Sequence, residues 1–108
     1  MLRCDRFNNL EIIKGDNAIF QLTLNNYSFR EGDRVFFSVK NNKYDKEYIM
    51  NIPSHRIFDN VAKFFITEKY SDIEAGNYFF DIEVRTIDGR IDTVILGKFK
   101  VIGDVTND

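Results

Sequence analysis

The sequence predicts an all-β domain, an immunoglobulin-like antiparallel β-sandwich of about seven strands. The main observation is a pair of alternating segments, residues 78–86 and 91–101, on either side of Asp88-Gly89. Asp-Gly between two such segments is a strong hairpin signal. With these two residues as a two-residue turn, Ile87 pairs with Arg90, and the apolar side chains of both segments fall on one face. Turn chemistry and hydrophobic pattern therefore agree on one register.

That register predicts specific neighbours across the hairpin. On the inner face Tyr78 meets Phe99, Phe80 meets Gly97, Ile82 meets Ile95 and Val84 meets Thr93. On the other face Arg85 lies opposite Asp92, which predicts a cross-strand ion pair. Gly97, in the middle of a strand, is expected to leave room for the ring of Phe80.

The remaining segments supply further short strands. Alternation predicts strands over residues 10–13, 18–24, 34–40 and 61–67, with a weaker one over 46–52 that stops at Pro53. Residues 68–74 lack strand character and are predicted to form one helical turn. Short strands joined by polar turns are typical of a β-sandwich, and a partly open barrel is the alternative. The predicted core is Phe20, Leu22, Val35, Phe37, Val39, Phe64, Ile66, Phe80, Ile82, Val84, Ile95 and Phe99.

Composition limits the class of protein. A chain of 108 residues predicts one domain, residues 1–108, and 44% hydrophobic residues suit a folded globule. The net charge is −2 with both signs spread along the chain, so nucleic acid is not an expected partner. Neither a signal peptide nor a membrane span is visible. The lone Cys4 precludes an internal disulfide, which fits a reducing compartment or a particle assembled inside a cell.

Enzymatic chemistry is poorly supplied. His55 is the single histidine, and no partners for a catalytic triad are evident. Asp81, Glu83 and Asp92 are the acidic residues closest together on a predicted strand face. A solvated or interfacial acidic edge is favoured there, because calcium requires six to eight oxygen ligands. We therefore expect no enzyme activity, no catalytic or metal-binding residues and no cofactor.

An outward-facing apolar set is the one functional signal. Strand parity leaves large apolar side chains outside the core on three strands that an immunoglobulin-like order makes neighbours: Phe36, Phe79, Val94 and Leu96. Contiguous patches of this kind mark interaction surfaces. Asp81 and Glu83 would lie at its rim and select a partner with Lys or Arg. The alternative is a β-bulge that turns one or two of these residues inward, or a loop that covers them.

Several segments resemble one family. They are residues 13–16 (IKGD) before an alternating strand, 32–40 (GDRVFFSVK), 76–82 (GNYFFDI) after a helical turn, 93–101 (TVILGKFKV) and the closing 104–106 (DVT). Together they resemble small β-sandwich domains of tailed bacteriophages and prophages, in particular the baseplate upper protein N-terminal domain family. The likeness covers most of the chain.

The resemblance implies a non-enzymatic structural and interaction module of a phage tail or baseplate. Its expected partners are other virion proteins or further copies of itself, and its expected location is the virion, assembled in the host cytoplasm. The alternative function is a carbohydrate-binding or cell-surface-binding module. That function would need exposed rings such as Phe36, Phe79, Tyr44 and Tyr48, and the absence of tryptophan argues modestly against it.

Overall fold

Two β-sheets pack face to face in the computed structural model, which describes residues 2–103. The large sheet has the strand order β1-β2-β9-β8-β4-β5 and the small sheet the order β3-β7-β6. The elements are β1 (Leu2–Cys4), β2 (Leu10–Ile13), β3 (Ala18–Thr23), β4 (Arg34–Lys40), β5 (Met50–Pro53), β6 (Arg56–Phe58), β7 (Val61–Ile66), α1 (Glu68–Ser71), β8 (Gly76–Arg85) and β9 (Ile91–Ile102).

The predicted immunoglobulin-like sandwich is confirmed. One sheet contains β9, β8 and β4 as neighbours and the other contains β3, β7 and β6, which is the G-F-C and B-E-D arrangement of immunoglobulin domains. The described residues form nine strands rather than about seven. The two unexpected strands, β1 and β6, have three residues each and are too short to show alternation.

One strand pair departs from the antiparallel prediction. β2 runs parallel to β9, with Leu10 beside Phe99 and Ile12 beside Val101. All four of these side chains are buried in the core. The parallel pair therefore attaches the first part of the chain to its last strand.

The hairpin register is correct over only part of its length. Phe80 pairs with Gly97 and Ile82 with Ile95 as predicted, but a β-bulge follows. Val94 is the extra residue on β9, so Val84 lies opposite Asp92 rather than Thr93. The turn holds three residues instead of two, because Thr86 N–H donates to the carbonyl of Arg90 at 2.9 Å. A three-residue hairpin loop that ends in a left-handed glycine, here Gly89 with φ +93°, contains the same Asp-Gly signal.

The bulge also changes the ion pairs. The predicted Arg85–Asp92 pair is wrong, because Arg85 lies opposite Ile91. Arg85 instead bonds Glu83, two residues earlier on the same strand, with Nε to Oε1 at 2.6 Å. Asp92 accepts from Arg90, two residues earlier in the chain, at 3.0 Å.

Phenylalanine rings form the centre of the core. Phe37 is fully buried, and four rings from both sheets surround it at centroid distances of 5.2 to 6.2 Å: Phe20, Phe64, Phe80 and Phe99. The predicted core residues are buried except Phe20 and Ile95, which are partly exposed. The structure adds residues that the prediction left out: Leu10, Ile12, Met50, Ile52, Ala62, Tyr78 and Val101.

Two side-chain hydrogen bonds fix the connection that runs from β7 in the small sheet to β8 in the large sheet. The helical turn expected over residues 68–74 is present as α1, and the buried Ser71 Oγ donates to the carbonyl of Asp16 at 2.6 Å. At the start of β8 the Tyr78 hydroxyl donates to the carbonyl of Glu74. This is the tyrosine corner of immunoglobulin-like sandwiches, and it fixes the angle at which the chain enters β8.

Candidate functional site

The outer face of the large sheet brings the predicted strands together. β4, β8 and β9 are neighbours, so their outward side chains form rows across the sheet. The register gives four rows: Arg34–Arg85–Ile91, Phe36–Glu83–Thr93, Ser38–Asp81–Leu96 and Lys40–Phe79–Lys98. Phe36, Phe79, Leu96, Asp81 and Glu83 therefore share one surface, which we call the front face.

The apolar residues of the front face are unequally accessible. Leu96 is 72% exposed, whereas Phe36 and Phe79 are only partly exposed. The guanidinium of Arg85 lies over the Phe36 ring at 5.1 Å from its centroid. Phe79 lies between Lys40 and Lys98 in its row. Leu96 is thus the most exposed apolar side chain of the front face, and Ile91, 62% exposed, lies at the hairpin end of the same face.

Val94 is separated from the other predicted residues by the bulge. It is 38% exposed and lines a cleft of about 360 Å³, together with Leu24 and Val84. Val84 is a core residue on the inward face of β8. The bulge has therefore turned Val94 away from the front face, which is the alternative that parity alone left open.

The two acidic residues differ in their partners. Glu83 has a side chain only 17% exposed and is bonded to Arg85. Asp81 Oδ1 is enclosed and has no hydrogen-bond partner within residues 2–103. Its row neighbour Ser38 donates to Asn51 Oδ1 at 3.2 Å instead. Burial raises the pKa of Asp81, the charge of Glu83 raises this pKa further, and Lys40 partly opposes the rise.

A second feature, missed by the sequence analysis, orders the loops at one end of the sandwich. The buried Asp33 accepts from the Tyr27 hydroxyl at 2.5 Å, from Arg30 N–H at 2.8 Å and from Ile87 N–H at 2.8 Å. Burial alone would raise the pKa of Asp33, but these hydrogen bonds together lower it below its ordinary value. One carboxylate therefore ties the loop before β4 to the β8–β9 hairpin. The Gly32-Asp33 turn was the only sequence signal for it.

Exposed aromatic rings lie in a loop that joins two strands of the large sheet. Tyr44 is 86% exposed and Tyr48 41% exposed, both in the loop between β4 and β5. Lys43 Nζ lies 5.1 Å from the Tyr44 ring centroid and Lys40 Nζ lies 5.0 Å from that of Tyr48. This loop is the structure's candidate for ring stacking on a ligand.

The outer face of the small sheet also carries apolar groups that sequence reasoning did not single out. Ile19 is 70% exposed and Phe58 is 73% exposed. His55, the single histidine, stacks on Phe65 with ring centroids 4.1 Å apart. Ile19 and Phe65 occupy outward positions of the strands predicted over residues 18–24 and 61–67, so alternation in the sequence already placed them on this face.

Among residues 2–103, no group of three or more His, Cys, Asp or Glu side chains is arranged to hold a metal ion. Within the same residues no helix has the length and apolar character needed to cross a membrane.

No family model matches the chain, and no curated protein matches it. Among solved structures, the chain is similar to the extracellular domain of the voltage-gated sodium channel beta4 subunit. The two are 17% identical over 90% of this chain and 92% of that chain, with a TM-score of 0.44. The beta4 structures are described as parallel homodimers that explain that subunit's role in cell–cell adhesion.

Proposed function

We propose that this chain is a non-enzymatic interaction module that docks another protein through its front face. One juxtaposition carries the proposal. Leu96, 72% exposed, neighbours Asp81, whose Oδ1 is enclosed and unpartnered among the described residues.

Either feature alone would be unremarkable, because folded surfaces are about half apolar. A carboxylate oxygen that is shielded from water and lacks a donor is different, since it costs free energy of roughly 1–3 kcal/mol or more. A partner that covers Leu96 and brings a Lys or Arg beside the Asp81 carboxylate buries the exposed apolar side chain and compensates the acidic charge. Because Glu83 already holds Arg85, Asp81 is the acidic residue left to select a Lys, an Arg or a backbone N–H.

The biological setting we propose is a bacteriophage or prophage particle of the tail or baseplate type. Its support is the sequence resemblance in residues 13–16, 32–40, 76–82 and 93–101. In that setting the partner is another virion protein or a second copy of the chain, and the protein resides in the virion.

The docking surface is tested by sedimentation of the purified chain, alone and with the products of neighbouring genes. The double variant Phe79→Ser/Leu96→Ser should weaken the complex. Ile19→Ser is a matched control, because Ile19 is 70% exposed but lies on the opposite sheet. Equal behaviour of wild type and double variant in every mixture, with the fold intact, contradicts the proposal.

Asp81→Asn gives a second, independent readout. The pKa of folded Asp81 is raised, so its ionised form destabilises the isolated chain at neutral pH, and this penalty fades as pH falls through the raised value. We therefore expect Asp81→Asn to raise the free energy of unfolding at pH 7 while weakening the complex. An unchanged complex would remove Asp81 from the docking surface.

A carbohydrate-binding function is supported by a different observation, the exposed Tyr44 and Tyr48 in one loop. Sugar rings stack on exposed aromatic faces, and both tyrosines already have a lysine beside the ring. A glycan array that compares wild type with Tyr44→Ala/Tyr48→Ala tests it. Specific binding lost in that variant but kept in Phe79→Ser/Leu96→Ser would favour this function over front-face docking.

A further inference from the structure

β3 is the least protected edge of the two sheets. β1, β5, β6 and β3 are the edge strands. The first three have only three or four residues and include Arg3, Pro53 and Arg56, which are features that discourage further strand pairing. β3 has six residues, Ala18–Thr23, with no charge and no proline. On the side away from β7, no other described segment bonds to its backbone.

The sandwich is also open on its inner side next to this edge. Phe20 points inward and stacks on Phe64 at 5.0 Å, yet it remains partly exposed whereas Phe64 is fully buried. The register of β1 places Leu2 with Ile12 and Cys4 with Leu10, on the inner face of the large sheet. Leu2 is nevertheless only partly buried and Cys4 is exposed. Six strands thus face only three, and the inner face at β1 is not fully covered.

The outer face beside β3 carries uncompensated positive charge. Gln21 of β3 pairs with Lys63, which in turn pairs with Arg56, so one row reads Gln21–Lys63–Arg56. Within residues 2–103 neither cation has an ion-pair partner. Like charges directly opposite across strands are unfavourable. An acidic side chain on a strand added beside Gln21 would extend this row with the opposite charge.

We propose that the free edge of β3 receives an extended segment of another polypeptide as the fourth strand of the small sheet. The segment alternates apolar residues, which cover Phe20 on the inner side, with acidic residues, which extend the row Gln21–Lys63–Arg56. Its backbone pairs with that of β3, as in other cases of strand addition. This surface is separate from the front face, so either proposal can fail without the other.

A second copy of the chain fits the edge less well than a foreign segment. If β3 of a second copy paired with β3, the added strand would carry no acidic residue, because Ala18–Thr23 is uncharged. Such a pair would also join two Lys63–Arg56 rows in one continuous sheet. The charge pattern therefore favours a partner that supplies carboxylates.

The test uses a synthetic peptide, Thr-Val-Glu-Val-Glu-Val-Thr, and hydrogen exchange of the folded protein followed by NMR. Backbone N–H groups of an antiparallel strand alternate between its two sides, so about half of those in Ala18–Thr23 should face the open edge. We expect saturating peptide to slow exchange of these amides by about tenfold or more, with little change in β5. A peptide N-methylated at alternate residues, which cannot complete the ladder, should lose this effect.

Charge reversal supplies the second arm. A peptide with Lys in place of Glu should bind about tenfold more weakly to wild type, and Lys63→Glu/Arg56→Glu should reverse this preference. Three results overturn the proposal: no protection of β3 by the acidic peptide, equal binding of the N-methylated peptide, or indifference to charge reversal. It is also wrong if the protein alone sediments as a dimer with β3 amides already protected, because a second copy then occupies the edge.

Discussion

Replacing Gly97 by alanine tests the closest approach in the large sheet. A Cβ at this position would lie 2.6 Å from Phe80 Cε1 and 2.5 Å from the carbonyl oxygen of Asn8. Both distances are shorter than the van der Waals contacts that a Cβ makes, so either the Phe80 ring or the Asn8 backbone must move. The Phe80 ring has limited freedom because it is packed against Phe37 at 5.4 Å. The Asn8 contact is backbone, held in a left-handed conformation with φ +64°, and no rotamer change relieves it.

The expected magnitude follows from two opposing effects. Overpacking a well-packed site costs about 1–3 kcal/mol. Replacing a strand glycine by alanine recovers roughly 0.5–1 kcal/mol of backbone entropy. We expect Gly97→Ala to lower the free energy of unfolding by about 1–2 kcal/mol, near the upper end because one contact is backbone. Gly97→Val should cost more.

Urea unfolding at pH 7, with Gly103→Ala as the matched control, measures this directly. A Cβ at Gly103 would meet only Ala75 Cβ, at an ordinary 3.9 Å, so its substitution should be neutral or slightly stabilising. In Phe80→Leu/Gly97→Ala the ring contact is removed, and we expect partial rescue only, since the Asn8 contact persists. If Gly97→Ala is as stable as Gly103→Ala, the close approach and the pairing of Phe80 with Gly97 are wrong.

Three further predictions concern the tyrosine corner, the hydrogen bonds of Asp33 and the phenylalanine core. Tyr78→Phe removes the hydroxyl that bonds the Glu74 carbonyl and should cost about 0.5–1.5 kcal/mol in urea unfolding, with near-wild-type stability refuting the corner's role. The lowered pKa of Asp33 means that its contribution is present above its ordinary value of 3.8 and is lost as pH falls through the lowered value. Asp33→Asn should therefore be less stable than wild type at pH 7, and this difference should shrink as pH falls below 3.8, whereas a difference independent of pH would contradict this. Phe80→Ala should cost roughly 3–5 kcal/mol, the transfer loss plus a cavity, and a loss below about 1 kcal/mol would place Phe80 outside the core.

The hairpin illustrates where sequence reasoning succeeds and where it fails. Alternation predicted which face is buried, and hence the core on β4, β7 and β8. The predicted pairing of Phe80 with Gly97 is correct because the extra residue in the bulge offsets the extra residue in the turn. A bulge adds one residue to one strand without breaking the local pattern on either side. Val94 therefore looked like an ordinary outward residue. Asp-Gly is equally suited to a two-residue turn and to the end of a three-residue loop, so the turn length was also ambiguous.

The candidate site was predictable to a similar extent. Leu96 and Asp81 were placed together correctly because they lie on the well-registered side of the bulge. Arg85 bonds Glu83 and not the predicted Asp92, because Arg85 lies beyond the bulge. The hydrogen bond from the Ile87 N–H to Asp33 joins two residues that no periodicity in the sequence relates. The open β3 edge depends on which strand is last in its sheet, and that is a property of the whole topology.

The parallel pairing of β2 with β9 has a consequence for the order of synthesis. Leu10 lies beside Phe99, and Asn9 Oδ1 accepts from the N–H of Lys98, 89 positions along the chain. Contacts between residues so far apart in sequence slow folding, because the entropy of closing the long loop between them is lost before the contacts form. While the chain emerges from the ribosome, β1 and β2 can pair only with each other until β9 is complete. A nascent chain that stops before residue 91 has a large sheet of only β8, β4 and β5, and residues 2–13 join this sheet only after β9 has been made.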